Sequence, residues 1–201
     1  MRVHKSIIWA VRVGFAGWIT FELLNLSGVL HYTLDFTWLG LVVTSTGIFG
    51  IIELVSWGLR KSTGTGLPWP AYVIAYFGTS WDVLGDVVHW YSTYNWYDQA
   101  AHFFGGASLG IIAVMVLWRL EFAGKIHLPR WMLNIAALGV ANFVGILYEL
   151  EEYFEDVINF TNRLGSATDT ANDIFLNVVG ALTTIVIASM YVASLQRKKS
   201  H

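Results

Sequence analysis

Cysteine is absent from the 201 residues. That excludes disulfides, thiolate catalysis and Cys-ligated zinc or iron–sulfur centres. Proline is nearly absent, with Pro68 and Pro70 in one connection and Pro129 in another. Charge is scarce too. Only 13% of residues are Asp, Glu, Lys or Arg, about half the share of roughly 25% in soluble domains. A basic face is missing, because 12 Lys and Arg stand against 14 Asp and Glu for a formal charge of −2. Nucleic acid is therefore not an expected partner. The chain also lacks a convincing internal repeat, a low-complexity tract and a soluble domain.

Apolar residues take the place of charge. They make up 55% of the chain, with ten Trp and twelve Phe, and this excess needs a lipid bilayer as its surround. A bilayer core takes about 20 mostly apolar residues per helix. Six stretches qualify: Ile7 to Leu30, Phe36 to Leu59, Ala71 to Tyr91, Asp98 to Leu120, Trp131 to Val157 and Thr170 to Leu195. The first is too long for a signal-peptide core and lacks a clear cleavage site, so it counts as a helix. The expectation is an all-α, polytopic membrane helix bundle with about six transmembrane helices, forming a single integral membrane domain over residues 1–201.

Basic residues set the orientation. Arg2, Lys5, Arg60, Lys61, Arg119, Lys125, Arg130, Arg197, Lys198 and Lys199 fall on one side of a six-helix path. That side, with both termini, is read as cytoplasmic. Arg12 sits in the first turns of helix one and reaches the same side by snorkelling. Arg163 alone falls opposite. Gly106 and Gly110 make a small-xxx-small step suited to close helix packing.

The acids are not scattered. Asp82, Asp86 and His89 are spaced i, i+4, i+7 near the outer end of the third stretch, on one helical face. Asp98 and His102 open the fourth at i, i+4. Glu149, Glu151, Glu152, Glu155 and Asp156 end the fifth. Asp169, Asp173 and Asn177 open the sixth at i, i+4, i+8, and Glu22 lies in the outer third of the first. Eleven of the fourteen acids thus gather on the outer side. An acid within a membrane helix costs about 2.5–3.5 kcal/mol. Such a set persists only if protonated, hydrated or neutralised by bound cations. Carboxylates with imidazoles and no thiolates suit a divalent metal ion: Zn, Mn, Fe, Mg or Ca.

Plainer readings stand beside this one. Glu151, Glu155 and Asp156 read as a solvated helix end. Asp98 and Asp169 each read as a helix N-cap. His89 reads as an interfacial histidine, and Arg163 as the partner of one acid. Glu53, toward the inside, reads as a proton-relay or gate residue, or as the partner of Arg12. The Tyr and Trp residues between Trp90 and Tyr97 line a site or anchor in the headgroup layer.

Three segments carry a resemblance. Tyr97-Asp98-Gln99-Ala100-Ala101-His102-Phe103-Phe104-Gly105-Gly106 resembles the YD-x-x-x-HF-F-x-G segment of the YjdF-like family of bacterial inner-membrane proteins. Leu147-Tyr148-Glu149-Leu150-Glu151-Glu152-Tyr153 resembles its YE-x-x-EW segment. Asp169-Thr170-x-x-Asp173, followed by Val179-Gly180-Ala181-Leu182, resembles its DT-x-x-D and GAL segments. The resemblance implies a multi-pass protein of the cell membrane, with Asp98, His102, Glu149, Glu152, Asp169 and Asp173 as its polar signature. It implies no particular reaction.

Three functions fit these residues. The first is a metal-dependent membrane enzyme acting on a lipid or other small-molecule substrate from the periplasmic side. Asp98, His102, Glu149, Glu152, Asp169 and Asp173 hold the metal, with Asp82, Asp86 or His89 as base or support. The second is a cation or proton transporter or channel. The third is an accessory subunit of a larger membrane complex. A homo-oligomer would let the second build a pore, and a larger membrane complex is the partner in the third.

Overall fold

Hydropathy gives the chain its helices, and caps and glycines give them their ends. The computed structural model describes residues 2–199, with side chains described for residues 4–191. The side chains of Arg2, Arg197, Lys198 and Lys199, which belong to the expected basic rim, lie outside the described residues. The order is α1 (Arg2–Leu26), α2 (Trp38–Thr63), α3 (Trp69–Val87), a short α4 (Trp90–Thr93), α5 (Tyr97–Phe122), α6 (Arg130–Asn159) and α7 (Ala167–Lys199). No strand occurs among the described residues. The Thr37 hydroxyl accepts the Gly40 amide at 3.0 Å and starts α2. Gly64 ends it at φ 77, a left-handed conformation that glycine adopts without a Cβ clash. Pro70 lies in the first turn of α3, and Pro129 directly precedes α6, where a missing N–H costs no helical bond.

Side-chain pairing fixes the helix directions. Trp18 bonds Ser80, and Phe15 packs edge-on against Tyr76, so α1 and α3 run the same way. Arg12 pairs with Glu53 and Glu22 with Ser45, so α2 runs opposite. Asn134 bonds Ser189 and Gly145 abuts Asn177, so α6 opposes α7. Gly106 meets Asn177 and Gly110 meets Ala181, so α5 runs with α7. Tyr97 bonds Trp81 and Gly78 abuts Ser108, so α5 opposes α3. Six long helices therefore cross the bundle in alternating directions. One end carries most of the acids, and the other carries Arg60, Lys61, Arg119, Lys125 and Arg130. Two apolar clusters fill the basic half. One is built around Phe15, Ile52, Leu59 and Tyr72, the other around Val114, Ala137 and Ile185.

Five helices are long and apolar enough to cross a membrane: His4–Leu26, Trp38–Thr63, Tyr97–Phe122, Arg130–Asn159 and Ala167–Tyr191. The third expected span is not among them. Its helix stops at Val87 rather than Tyr91 and contains Asp82 and Asp86. Its 19 residues still reach about 28 Å at 1.5 Å per residue.

α5 and α7 make the closest pair. A Cβ at Gly106 would strike the backbone of Asn177, one at Gly110 the backbone of Ala181, and one at Gly180 the backbone of Phe103 and Ala107. The small-xxx-small step is thus a backbone-to-backbone contact. The Thr184 hydroxyl adds a 2.9 Å bond to the Ala107 carbonyl across it.

Candidate functional site

That close approach positions the polar centre. His102 sits one turn before Gly106 on α5, so it faces Asn177 and Asp173 of α7. Its Nδ1 lies 3.3 Å from the Asn177 amide nitrogen and 3.5 Å from Glu149 of α6. Its Nε2 lies 3.5 Å from Asp98 and 3.9 Å from Asp173. Most of these separations exceed a normal hydrogen bond. Ligand atoms of Asp98, His102 and Asp173 fall within 4.8 Å of one another, and so do those of His102, Glu149 and Glu152. His102 is common to both groups.

The burial here is severe. Glu149 is 5% exposed and Asp173 3%. Among the described residues, no group hydrogen-bonds either carboxylate oxygen of Glu149, nor Oδ1 of Asp173. A buried unpaired polar group costs about 1–3 kcal/mol, and a charged one more. The centre therefore favours a bound proton or cation.

A second centre adjoins it. The loop after α6 folds back because the Asp156 carboxylate accepts the amides of Arg163 and Leu164 at 2.6 and 2.9 Å. It also takes the Thr161 hydroxyl at 2.6 Å. This inserts Arg163 into the bundle, where it bonds Glu152 at 3.0 Å, Glu155 at 2.9 Å and the Tyr148 hydroxyl at 2.6 Å. Its guanidinium lies over the rings of Phe36 and Tyr148. Burial opposes its charge, but Tyr148, Asp82, Glu152 and Glu151 outweigh that and push its pKa well above the usual value. Glu155 also accepts the Thr37 hydroxyl and presses on Gly40, where a Cβ would collide with its carboxylate.

α3 supplies the third group. Asp82 accepts the Tyr91 hydroxyl at 2.7 Å and that of Tyr148 at 3.4 Å, and its other oxygen is buried without a partner. Burial and the neighbouring Asp82 raise the Tyr91 pKa well above its usual value, keeping it a donor. Asp86 accepts the amides of Asp35 and Phe36 at 2.7 and 2.9 Å. It anchors the α1–α2 loop.

His89 leaves the face expected of it. The helix has ended at Val87, and His89 adopts φ 59. The left-handed turn swings the imidazole onto Asp35 at 2.8 Å and Thr33 at 3.0 Å. Partial burial resists ionisation of Asp35, but bonds from Ser92 and His89 prevail and hold its carboxyl below the usual range.

Of the residues singled out in the sequence, Asp98, His102, Glu149, Glu152 and Asp173 come together. Asp169 is exposed in the first turn of α7 and joins neither ligand group. The solvated reading of Glu155 is corrected, since it is 5% exposed and ion-paired. Arg163 binds two acids rather than one. Glu53 is held by Arg12 at 2.6 and 2.8 Å. Tyr148 was legible only as part of a motif, yet it touches both Arg163 and Asp82.

A cavity of about 320 Å³ lies between α2, α3, α5 and α6. Asp82, Tyr91, His102, Tyr148 and Asn177 line its acidic end. Below them the walls are almost wholly apolar, from residues such as Ile52, Ala75, Ile112 and Val144.

Comparison with known proteins places the chain in a family. No solved structure matches the chain. Over 103 residues it is 29% identical to "Inner membrane protein YjdF" of Escherichia coli (strain K12), covering 48% of this chain and 47% of that protein. The chain thus spans about half the length of the curated relative it matches. A family model described as "Predicted membrane protein (DUF2238)" matches residues 14–194, and the chain accordingly belongs to this family of YjdF-like membrane proteins.

Proposed function

We propose that the protein is a metal-dependent membrane enzyme whose centre faces the extracytoplasmic side. The observation that carries this reading is Glu149: buried, with both carboxylate oxygens unbonded by protein, and 3.5 Å from His102. Two donor sets share His102, its Nδ1 with Glu149 and Glu152 and its Nε2 with Asp98 and Asp173, and each joins an imidazole to two carboxylates, a set suited to Mn, Fe, Zn, Mg or Ca. Glu152 is also shared with Arg163. Asp169 contributes charge from the rim. The positive-inside distribution of Lys and Arg supports the orientation, and a relative named as an inner membrane protein supports the location.

A divalent ion in this site would polarise a phosphoryl or acyl oxygen and acidify bound water. Asp82 is the base in this reading. Its free oxygen is buried and it lines the cavity beside His102, while Tyr91 and Tyr148 fix its orientation. Asp86 and His89 are positioning residues, because they hold the α1–α2 loop and the α3–α4 turn. The alternative of a transporter is weakened by Arg12, which neutralises Glu53 in the basic half.

The test is hydrolysis of phosphate-ester and acyl-ester amphiphiles by the protein in liposomes, with and without added Mn²⁺, Zn²⁺ or Mg²⁺. Cation-dependent turnover is expected, abolished by Asp82→Asn with bound metal retained. Turnover unaffected by chelator, or by Asp82→Asn, would overturn the assignment.

A further inference from the structure

The cavity has a shape and a polarity gradient that the metal site alone does not require. Its walls run from Thr44 to Val55 on α2 and from Ala101 to Leu117 on α5. At 1.5 Å per residue these stretches cover about 16 and 24 Å, more than half the roughly 30 Å of a bilayer core. Its lining segregates along that length. Asp82, Tyr91, His102, Tyr148 and Asn177 stand at one end, and aliphatic and aromatic side chains, with the hydroxyls of Thr44, Thr79 and Ser108, form the rest. The volume of about 320 Å³ lies at the low end of ligand pockets, which span about 300–1,000 Å³. It suits one chain, not two.

The chamber also reaches the lipid-facing surface. Among its lining residues, Ile51 of α2 and Val140 of α6 are about half exposed, as are Phe77 of α3 and Phe104 of α5. These side chains flank the α2/α6 and α3/α5 seams, where the chamber wall meets the surrounding acyl region. An apolar chain enters sideways without crossing the polar end.

The geometry points to a substrate with one long apolar chain and a phosphate or carboxylate head. The chain lies in the chamber, and the head meets His102 and Asp82. This inference rests on the proposed cation site, because Arg163 is already held by Glu152 and Glu155 and a cation must otherwise offset the head. Asp82 lines the polar end, and Asp98, Glu149 and Asp173 surround His102 behind it, so an anionic head is repelled unless that cation is bound.

The experiment uses three single-chain probes carrying a diazirine in the acyl chain: lysophosphatidic acid, a fatty acid and a monoacylglycerol. The full chain in nanodiscs is photolabelled with Mn²⁺ or with chelator, and labelled peptides are mapped by mass spectrometry. The two anionic probes are expected to label the lining stretches of α2, α5 and α6 in Mn²⁺, and to do so far less in chelator. Ala141→Trp fills the chamber and lowers that labelling by about tenfold or more. The milder Ser108→Leu lowers it severalfold, and serves if the larger side chain impairs folding. Met190→Trp, on an exposed face of α7 away from the chamber, leaves it unchanged. Labelling spread over exposed helix faces and insensitive to Ala141→Trp and Ser108→Leu overturns the inference. Chamber labelling by the anionic probes that ignores Mn²⁺ supports the chain site and overturns the cation reading. Monoacylglycerol labelling equal to that of the anionic probes in Mn²⁺ overturns the anionic head.

Discussion

Removing Arg163 should be the most costly single change at the acidic end. Its side chain is 3% exposed and bonds Glu152 at 3.0 Å and Glu155 at 2.9 Å, with Tyr148 at 2.6 Å. Arg163→Ala strands two buried carboxylates and a phenol. Breaking a buried pair by deleting one partner costs about 3–5 kcal/mol, because the remaining charge stays desolvated. The loss should therefore lie in that range, measured as thermal or denaturant unfolding in detergent micelles. The triple variant Arg163→Met with Glu152→Gln and Glu155→Gln removes the stranded charge and should recover most of it. A change below about 0.5 kcal/mol for Arg163→Ala, the size typical of surface sites, would refute the reasoning. So would a triple variant less stable than the single one.

Two further outcomes follow from the packing and the loops. Gly106→Ala drives a methyl into the Asn177 backbone and should cost about 1–3 kcal/mol as an overpacked contact, whereas Gly17→Ala, with open space around it, should cost none; equal stability of the two variants contradicts the close approach. The carboxyl of Asp35 is held below its usual range by Ser92 and His89. A depressed acid stabilises the fold above its unfolded pKa of about 4 and loses that contribution as pH falls through its lower folded value. Asp35→Asn should therefore lower stability at neutral pH and flatten the acid limb of the stability curve, and an unchanged acid limb counts against the loop assignment.

Much of the fold was visible in the hydropathy pattern. Five expected spans coincide with long helices, and Gly106 and Gly110 occur at the backbone contact they suggested. The third span was blurred at its end, because the run Val87 to Tyr91 is apolar enough to continue a helix. What stops it is a left-handed turn at His89, a conformation that spacing does not reveal. The same turn separates His89 from Asp82 and Asp86. The pairs Asp98/His102 and Glu149/Glu152 were legible because i, i+3 and i, i+4 spacing places side chains on one face. Arg163 was legible as a lone cation but not as a clamp on two acids. Its reach depends on Asp156 folding the loop back, a contact that helical periodicity does not encode. Glu155 looked like a solvated end for the same reason. Asp169 shares the spacing of Asp173 but sits one turn nearer the helix start, and that single turn leaves it exposed.

A divalent cation held at His102 must show in the metal content of the protein. The purified protein, analysed by plasma mass spectrometry beside Glu149→Gln and His102→Ala, should carry about one divalent ion per chain, lost in both variants while each remains folded. A wild-type protein that stays metal-free after equilibration with Mn²⁺, Zn²⁺, Fe²⁺, Mg²⁺ and Ca²⁺, or metal retained equally by both variants, would contradict a cation at His102.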